Sequence, residues 1–182
     1  IAAILMVLEL PVPFAPSFYG LDFSELPALI GAFAYGPVTG VMIEFCKILI
    51  KLVLKPSSTA FVGELANFSI SCMLVLPASV IYLFKKSRKQ AILGTVVGTL
   101  IMTAFGSCFN AIYLLPKFSE LYGIPLDAII GMGTAINPAI HSISGLVLMC
   151  VVPLNLLKGG LVSLITILVY KKLSPILKAA HK

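Results

Sequence analysis

Charge is scarce in this sequence. Only 11% of its 182 residues are Asp, Glu, Lys or Arg, against roughly 25% in an ordinary soluble domain. Apolar residues fill the gap at 59%, and the mean hydropathy is +1.09. A water-soluble fold of this size cannot hide so much apolar surface, so the composition indicates an integral membrane protein. Paired cysteine motifs are also missing. Cys46, Cys72, Cys108 and Cys150 are scattered through apolar runs, with neither CxxC spacing nor a dense disulfide framework. They read as small buried hydrophobes.

Enzyme signatures are equally scarce. There is no HExxH pair and no nucleophile–base arrangement, and His141 has no second histidine at i+4. It reads as a satisfied helix-end residue, so no metal site is expected, and an intramembrane enzyme stands only as the more distant alternative reading. A GxxxxGK loop is absent, so ATP hydrolysis by a P-loop is not expected of this chain. An ion channel would need a ring of charges from an oligomer that the sequence does not announce. No basic n-region or small-residue cleavage site marks a signal peptide at the start. The apolar stretch Ile1 to Leu10 reads as the outer part of a helix whose beginning is missing.

What is present is a series of apolar runs separated by breakers. A spanning helix takes about 20 residues, so six spans use roughly 120 and leave about 60 for connections. The expectation is an all-α integral membrane protein: a six-transmembrane-helix bundle forming one membrane domain over residues 1–182, with both termini cytoplasmic. The first span ends at Pro11 and Pro13, and a loop rich in aromatics and prolines follows, including Phe14, Phe18, Tyr19 and Phe23. Ser24 caps a short second helix from Glu25 to Tyr35, and Gly36-Pro37 separates it from a third reaching Leu54. The fourth runs from Gly63 to Phe84, the fifth from about Ala91 to Leu115 with its end at Pro116, and the sixth from Pro153 to Tyr170. Residues 117–152 are mixed and suit a partly inserted hairpin or an extended helix. Gly36 and Gly40, and Gly94 and Gly98, have the GxxxG spacing that lets helices approach closely in lipid.

The few charges set the orientation. Lys85, Lys86, Arg88 and Lys89 form one basic turn, and Lys171, Lys172, Lys178 and Lys182 lie in the tail. Alternating spans put these eight on one side, opposite Lys55 and Lys117, and the positive-inside rule makes the basic side cytoplasmic. The net charge of +6 is thus a topology signal, and no nucleic-acid partner follows from it.

Polar side chains at membrane depth are costly and usually face a cavity or a partner. Glu44, Lys47 and Lys51 share one face of the third helix at i, i+3 and i+7. A self-neutralising Glu44–Lys47 pair with Lys51 snorkelling outward is favoured over a wet face along a substrate route. Glu64 and Asn67 share a face of the fourth helix; Glu64 also suits the positive end of the helix dipole, and Asn67 suits a helix–helix bond or a ligand equally. Asn110 near the outer end of the fifth helix, with Asn155 and Lys158 at i, i+3 on the sixth, forms a polar wall at similar depth. Amides donate and accept while lysine only donates, a combination suited to the edge of a planar heterocycle with alternating carbonyl and N–H groups. Each of the three also has a purely structural reading as an interhelical bond.

Five blocks carry a family resemblance. They are residues 21–37, beginning Leu21-Asp22-Phe23-Ser24-Glu25; Gly63-Glu64-Leu65-Ala66-Asn67-Phe68; residues 110–116, from Asn110 to Pro116; Pro153-Leu154-Asn155-Leu156-Leu157-Lys158-Gly159; and Tyr170-Lys171-Lys172-Leu173-Ser174-Pro175. In this order, and across nearly the whole chain, they resemble the riboflavin-specific S component of energy-coupling factor (ECF) transporters. The resemblance implies a high-affinity vitamin-binding membrane protein that captures riboflavin at its outer side, under the first loop. It implies contacts from Asn110, Asn155 and Lys158 to the polar edge of the flavin, with Glu64, Asn67, Leu21 and Phe23 completing the site. Riboflavin would be the transported substrate, with no cofactor. The partners implied are a coupling transmembrane protein and two ATP-binding subunits, in a bacterial cell membrane. An S component for another vitamin is the nearest alternative. The chain departs from the family pattern at Ala111 and Ile112, where aromatics are frequent, and at Leu154, where Phe is frequent. The AxxxA of the family's first helix is not matched, because Met6 and Val7 follow Ala2 and Ala3 at i+4.

The orientation has a direct test. In a cysteine-free background, single cysteines at Ser87 and Ser57 should label oppositely with a membrane-impermeant reagent applied from outside. Equal labelling would overturn the arrangement.

Overall fold

The computed structural model describes residues 1–57 and 59–179, with side chains described up to residue 169 except Ser58. The helices are α1 (Ala2–Val7), α2 (Glu25–Tyr35), α3 (Pro37–Leu54), α4 (Val62–Phe84), α5 (Arg88–Phe109), α6 (Leu115–Tyr122), α7 (Leu126–Thr134), α8 (Ile143–Leu146) and α9 (Val152–Ala179). A two-stranded antiparallel pair, β1 (Leu10–Pro11) and β2 (Gly20–Leu21), closes the base of the first loop, with Leu10 opposite Leu21.

Two of the expected helix boundaries are not boundaries. α5 passes through a π-helical turn, Asn110–Leu114, directly into α6, and α8 passes through a second, Val147–Val151, into α9. The described residues therefore form seven continuous rods. Each π turn is followed two residues later by a proline, Pro116 and Pro153. Proline lacks the N–H that an α-helix needs. The wider bonding of the π turn, seen where the Leu115 N–H donates to the Asn110 carbonyl, carries the chain past it. Residues 117–152 consequently form the end of one rod, a left-handed turn at Gly123 (φ 61), α7, a loop, and the start of the next rod. His141 lies exposed in that loop, before α8.

The break between α2 and α3 does fall at Gly36. Its φ of 99° and ψ of 172° are open only to glycine, its N–H caps the Ala32 carbonyl at 2.8 Å, and Pro37 starts α3 where a missing N–H costs nothing. Gly36 is thus a turn residue, whereas Gly40 packs: a β-carbon there would lie 2.7 Å from the Ala32 β-carbon. The second glycine pair brings α4 and α5 together. A β-carbon at Gly94 or Gly98 would sit 2.5 Å from the Ala78 or Leu74 carbonyl oxygen of α4.

Packing produces two apolar clusters. One joins the first loop to the outer rods through Tyr19, Leu21, Leu114, Phe118, Leu146 and Val151. The other joins α2, α4, α5 and α9 through Leu29, Phe33, Leu74, Tyr82, Met102 and Val162. Large apolar side chains such as Leu49, Leu65, Val96, Leu100 and Leu164 point outward, which suits contact with lipid tails. Cys72 and Cys150 are buried as expected, but Cys46 and Cys108 lie on this outer surface. The correction has a simple cause: where the solvent is hydrocarbon, an apolar residue is as content outside as inside.

The rods α4 (Val62–Phe84), Arg88–Tyr122 and Ile143–Val169 are long and apolar enough to cross a membrane by composition alone. α3 has 18 residues but carries Glu44, Lys47 and Lys51, and α2 has 11 residues.

The α4–α5 contact predicts a measurable asymmetry between glycines. Gly98→Ala should lower the melting temperature in detergent, with a cost of about 1–3 kcal/mol for overpacking. Gly160→Ala, with open space around the added carbon, should be neutral or slightly stabilising. Equal melting temperatures for the two variants would refute the close approach.

Candidate functional site

A cavity of about 240 Å³ lies beneath the first loop, walled by α4, the π turn after α5, and α9. Asn110, Asn155, Lys158, Glu64 and Asn67 all line it, so five of the residues singled out by sequence meet in one place. Leu21 and Phe23 are not among its lining residues. Leu21 is buried in the outer cluster, and Phe23 packs against both clusters. Phe18 and Tyr19 supply the loop's contribution to the wall instead.

Each polar side chain has a distinct hydrogen-bonding state. Asn110 accepts from the Tyr19 hydroxyl at 2.7 Å and donates to the Gly106 carbonyl at 2.7 Å. Its amide thus pins the first loop to the start of the π turn. Asn155 stands against the same glycine: a β-carbon at Gly106 would lie 2.8 Å from its Nδ2. Among the described residues no side-chain hydrogen bond engages Asn155. The Asn67 Oδ1 is buried and accepts no hydrogen bond. Buried polar groups are ordinarily satisfied, so open amides on a cavity wall are capacity for a ligand.

The charged residues behave differently. Lys158, only 9% exposed, donates to Asp22 Oδ2 at 2.9 Å and reaches Glu25 Oε1 at 2.7 Å. Two of its three N–H groups are therefore spoken for within the protein. Lys47 is buried with Glu44, its ion-pair partner, as the sequence indicates. It also donates to the Ser24 hydroxyl at 3.0 Å and lies 3.8 Å from Glu25 Oε1. Ser71 on α4 donates to Glu25 at 2.6 Å, and the Ser24 N–H donates to Asp22 Oδ1 at 2.8 Å. Burial opposes charging of Asp22, yet the Lys158 ammonium overrides it and holds this loop carboxyl below the usual carboxylate range.

Lys51 does not snorkel outward. It turns into the cavity wall and pairs with Glu64, which also accepts from the hydroxyls of Ser57 at 2.8 Å and Thr59 at 3.1 Å. The physical reason is the buried Glu64 carboxylate one helix away, a better partner than distant solvent. Sequence reasoning missed the roles of Asp22, Glu25 and Ser71. Asp22 and Glu25 carried a signal, being acids beside an apolar helix; a serine in an apolar helix carries none.

Comparison with known proteins gives a consistent result. Residues 1–170 match the family described as ECF transporter, substrate-specific component. Over 178 residues the chain is 33% identical to the riboflavin transporter RibU of Staphylococcus aureus (strain TCH60), covering 98% of this chain and 87% of that protein. It is 30% identical over 178 residues to the riboflavin transporter FmnP of Bacillus subtilis (strain 168), covering 96% and 87%. A solved structure described as the S component of a bacterial ECF transporter aligns with a TM-score of 0.72 at 34% identity, covering 97% of this chain and 90% of that one.

The charge network predicts a double-mutant result. Lys47→Met leaves Glu44 without its cation, while Glu25 keeps Lys158, and losing one partner of a buried pair costs about 3–5 kcal/mol. The melting temperature of Lys47→Met should fall sharply, and adding Glu44→Gln should recover part of the loss. Additive losses in the double variant would show that the two side chains are not coupled.

Proposed function

The chain belongs to the substrate-specific components of ECF transporters, and from that membership we propose that it captures riboflavin in the cavity beneath its first loop. The chain is a multi-pass membrane protein with a transport role, not an enzyme. The observation that carries the reading is the pair of open amides, Asn67 and Asn155, on the wall of a cavity roofed by Phe18 and Tyr19. Small-molecule sites are mostly apolar, with a few placed polar groups, and the relatives matched over almost the whole chain are named riboflavin transporters.

In this reading Asn110, Asn155 and the third N–H of Lys158 meet the alternating carbonyl and N–H groups of the flavin edge. Asn67 offers an acceptor to a ligand hydroxyl or N–H. The Glu64 carboxylate borders the site, and Leu21 and Phe23 back the loop from behind. With Ala111, Ile112 and Leu154 in place of aromatics, ring stacking falls to the loop, chiefly Phe18 and Tyr19. The cavity faces outward, both termini and the basic turn at residues 85–89 face the cytoplasm, and α1, α2 and α3 complete a six-span arrangement with the three long rods. The energy comes from elsewhere: a coupling membrane protein and two ATP-binding subunits.

The test is direct binding. The purified chain should come out yellow and quench riboflavin fluorescence at a stoichiometry of one. Asn155→Leu leaves a ligand group unpaired at a cost of about 1–3 kcal/mol, so affinity should fall roughly tenfold or more. Leu100→Ala, on the outer face, should bind as the unaltered chain does. Full affinity in Asn155→Leu would place the ligand elsewhere.

A further inference from the structure

The buried charges around Glu25 do not balance. Asp22, Glu25 and Glu44 bring three carboxylates, Lys47 and Lys158 bring two ammonium groups, and all five side chains are buried. The lysines tie the group together. Lys47 pairs with Glu44 and lies 3.8 Å from Glu25 Oε1, while Lys158 joins Glu25 to Asp22. Glu64 and Lys51 form a separate pair and add nothing to the sum. One negative charge is left over.

The hydrogen bonds show where it lies. Both Asp22 oxygens are engaged, Oδ1 by the Ser24 N–H and Oδ2 by Lys158. Glu25 Oε1 receives Lys158 and the Ser71 hydroxyl, but Glu25 Oε2 accepts no hydrogen bond. Glu44 Oε2 receives Lys47, and Glu44 Oε1 accepts nothing. Glu25 and Glu44 are both 0% exposed, and Lys47 stands beside each. α3 packs against α1, α2 and α4, and none of them brings a free cation. α1 has no ionisable side chain, α2 brings Glu25, and α4 brings Cys72 and Glu64, the latter with Lys51. Burying a charge without a partner costs far more than burying a paired one, so the two open oxygens call for one more positive charge.

We propose that the open oxygens of Glu25 and Glu44 bind one small monovalent cation, an alkali-metal ion or a proton, which completes the network that anchors the first loop. The deficit is a single charge. Among the described residues no three carboxylate, thiol or imidazole groups gather as a multivalent metal would need. Asp22 and Ser24, at the end of the first loop, bond the same two lysines, so occupancy of the site bears on how firmly the cavity's roof is held. The inference stands independently of what the cavity binds.

The experiment is thermal unfolding of the purified chain in detergent, in choline, sodium and potassium chloride at one ionic strength, then across pH in choline chloride. An alkali ion at about a hundred times its dissociation constant should raise the melting temperature by about 5–10 °C over choline. A proton in its place leaves the three salts equal. The folded chain then holds one proton more than the unfolded chain, so the melting temperature climbs as pH falls towards the ordinary glutamate value of about 4.3. That arm has its own infrared signature, the C=O stretch of a neutral carboxylic acid. Glu44→Gln keeps the shape and leaves two carboxylates against two ammonium groups. It should fold, melt no lower than the unaltered chain, and lose whichever dependence the unaltered chain shows. The inference is overturned by a melting temperature indifferent to both salt and pH, or by a dependence that Glu44→Gln leaves unchanged. A Glu44→Gln chain that fails to fold overturns it as well, because removing the unbalanced charge should spare stability.

Discussion

The structure hangs on a buried ion network with Glu25 at its centre. Its carboxylate receives Lys158 from α9 and Ser71 from α4, and lies within reach of Lys47 from α3. Asp22 and Ser24 attach the end of the first loop to the same lysines. Removing such charges from water costs several kcal/mol each, and only mutual pairing with good geometry repays it. The arrangement is therefore all-or-nothing. Three helices, the loop and α2 must arrive together, and once they have, the cavity's floor and roof are positioned by the same contacts.

Hydrocarbon as solvent explains which features were legible in the sequence. Apolar residues dominate both the interior and the outer surface, so hydrophobicity says little about burial. Cys46 and Cys72 look alike in sequence, yet one is exposed and the other buried. Polar residues are the informative minority, since each needs a partner or a cavity. Asn67, Asn110, Asn155 and Lys158 stood out for that reason, and they do line one cavity. What could not be read was the identity of partners across helices. Lys51 has Glu44 at i−7 on its own face, yet its partner is Glu64 on the next helix. Helical periodicity reports faces, while tertiary packing decides which faces meet.

Prolines caused the largest errors in the fold. Pro116 and Pro153 read as helix ends because an α-helix loses a hydrogen bond and gains a clash there. The chain instead absorbs both in π turns, and the two turns lie against each other beside the cavity. Only the second-order signal was available: a proline following an otherwise uninterrupted apolar run. Gly36-Pro37, by contrast, is a true break, because a backbone with φ of 99° cannot continue a helix.

A π turn is in effect one residue too many for the α-helix that contains it. Since an α-helix advances about 100° per residue, everything beyond such a turn is rotated by roughly that angle from where an uninterrupted helix would aim it. Asn155 and Lys158 both lie beyond the turn at Val147–Val151, so the azimuth that points them inward is set by that single surplus residue. A one-residue deletion there, sparing Val151, would keep every side chain of the cavity wall and turn its three α9 members, Leu154, Asn155 and Lys158, away from the cavity.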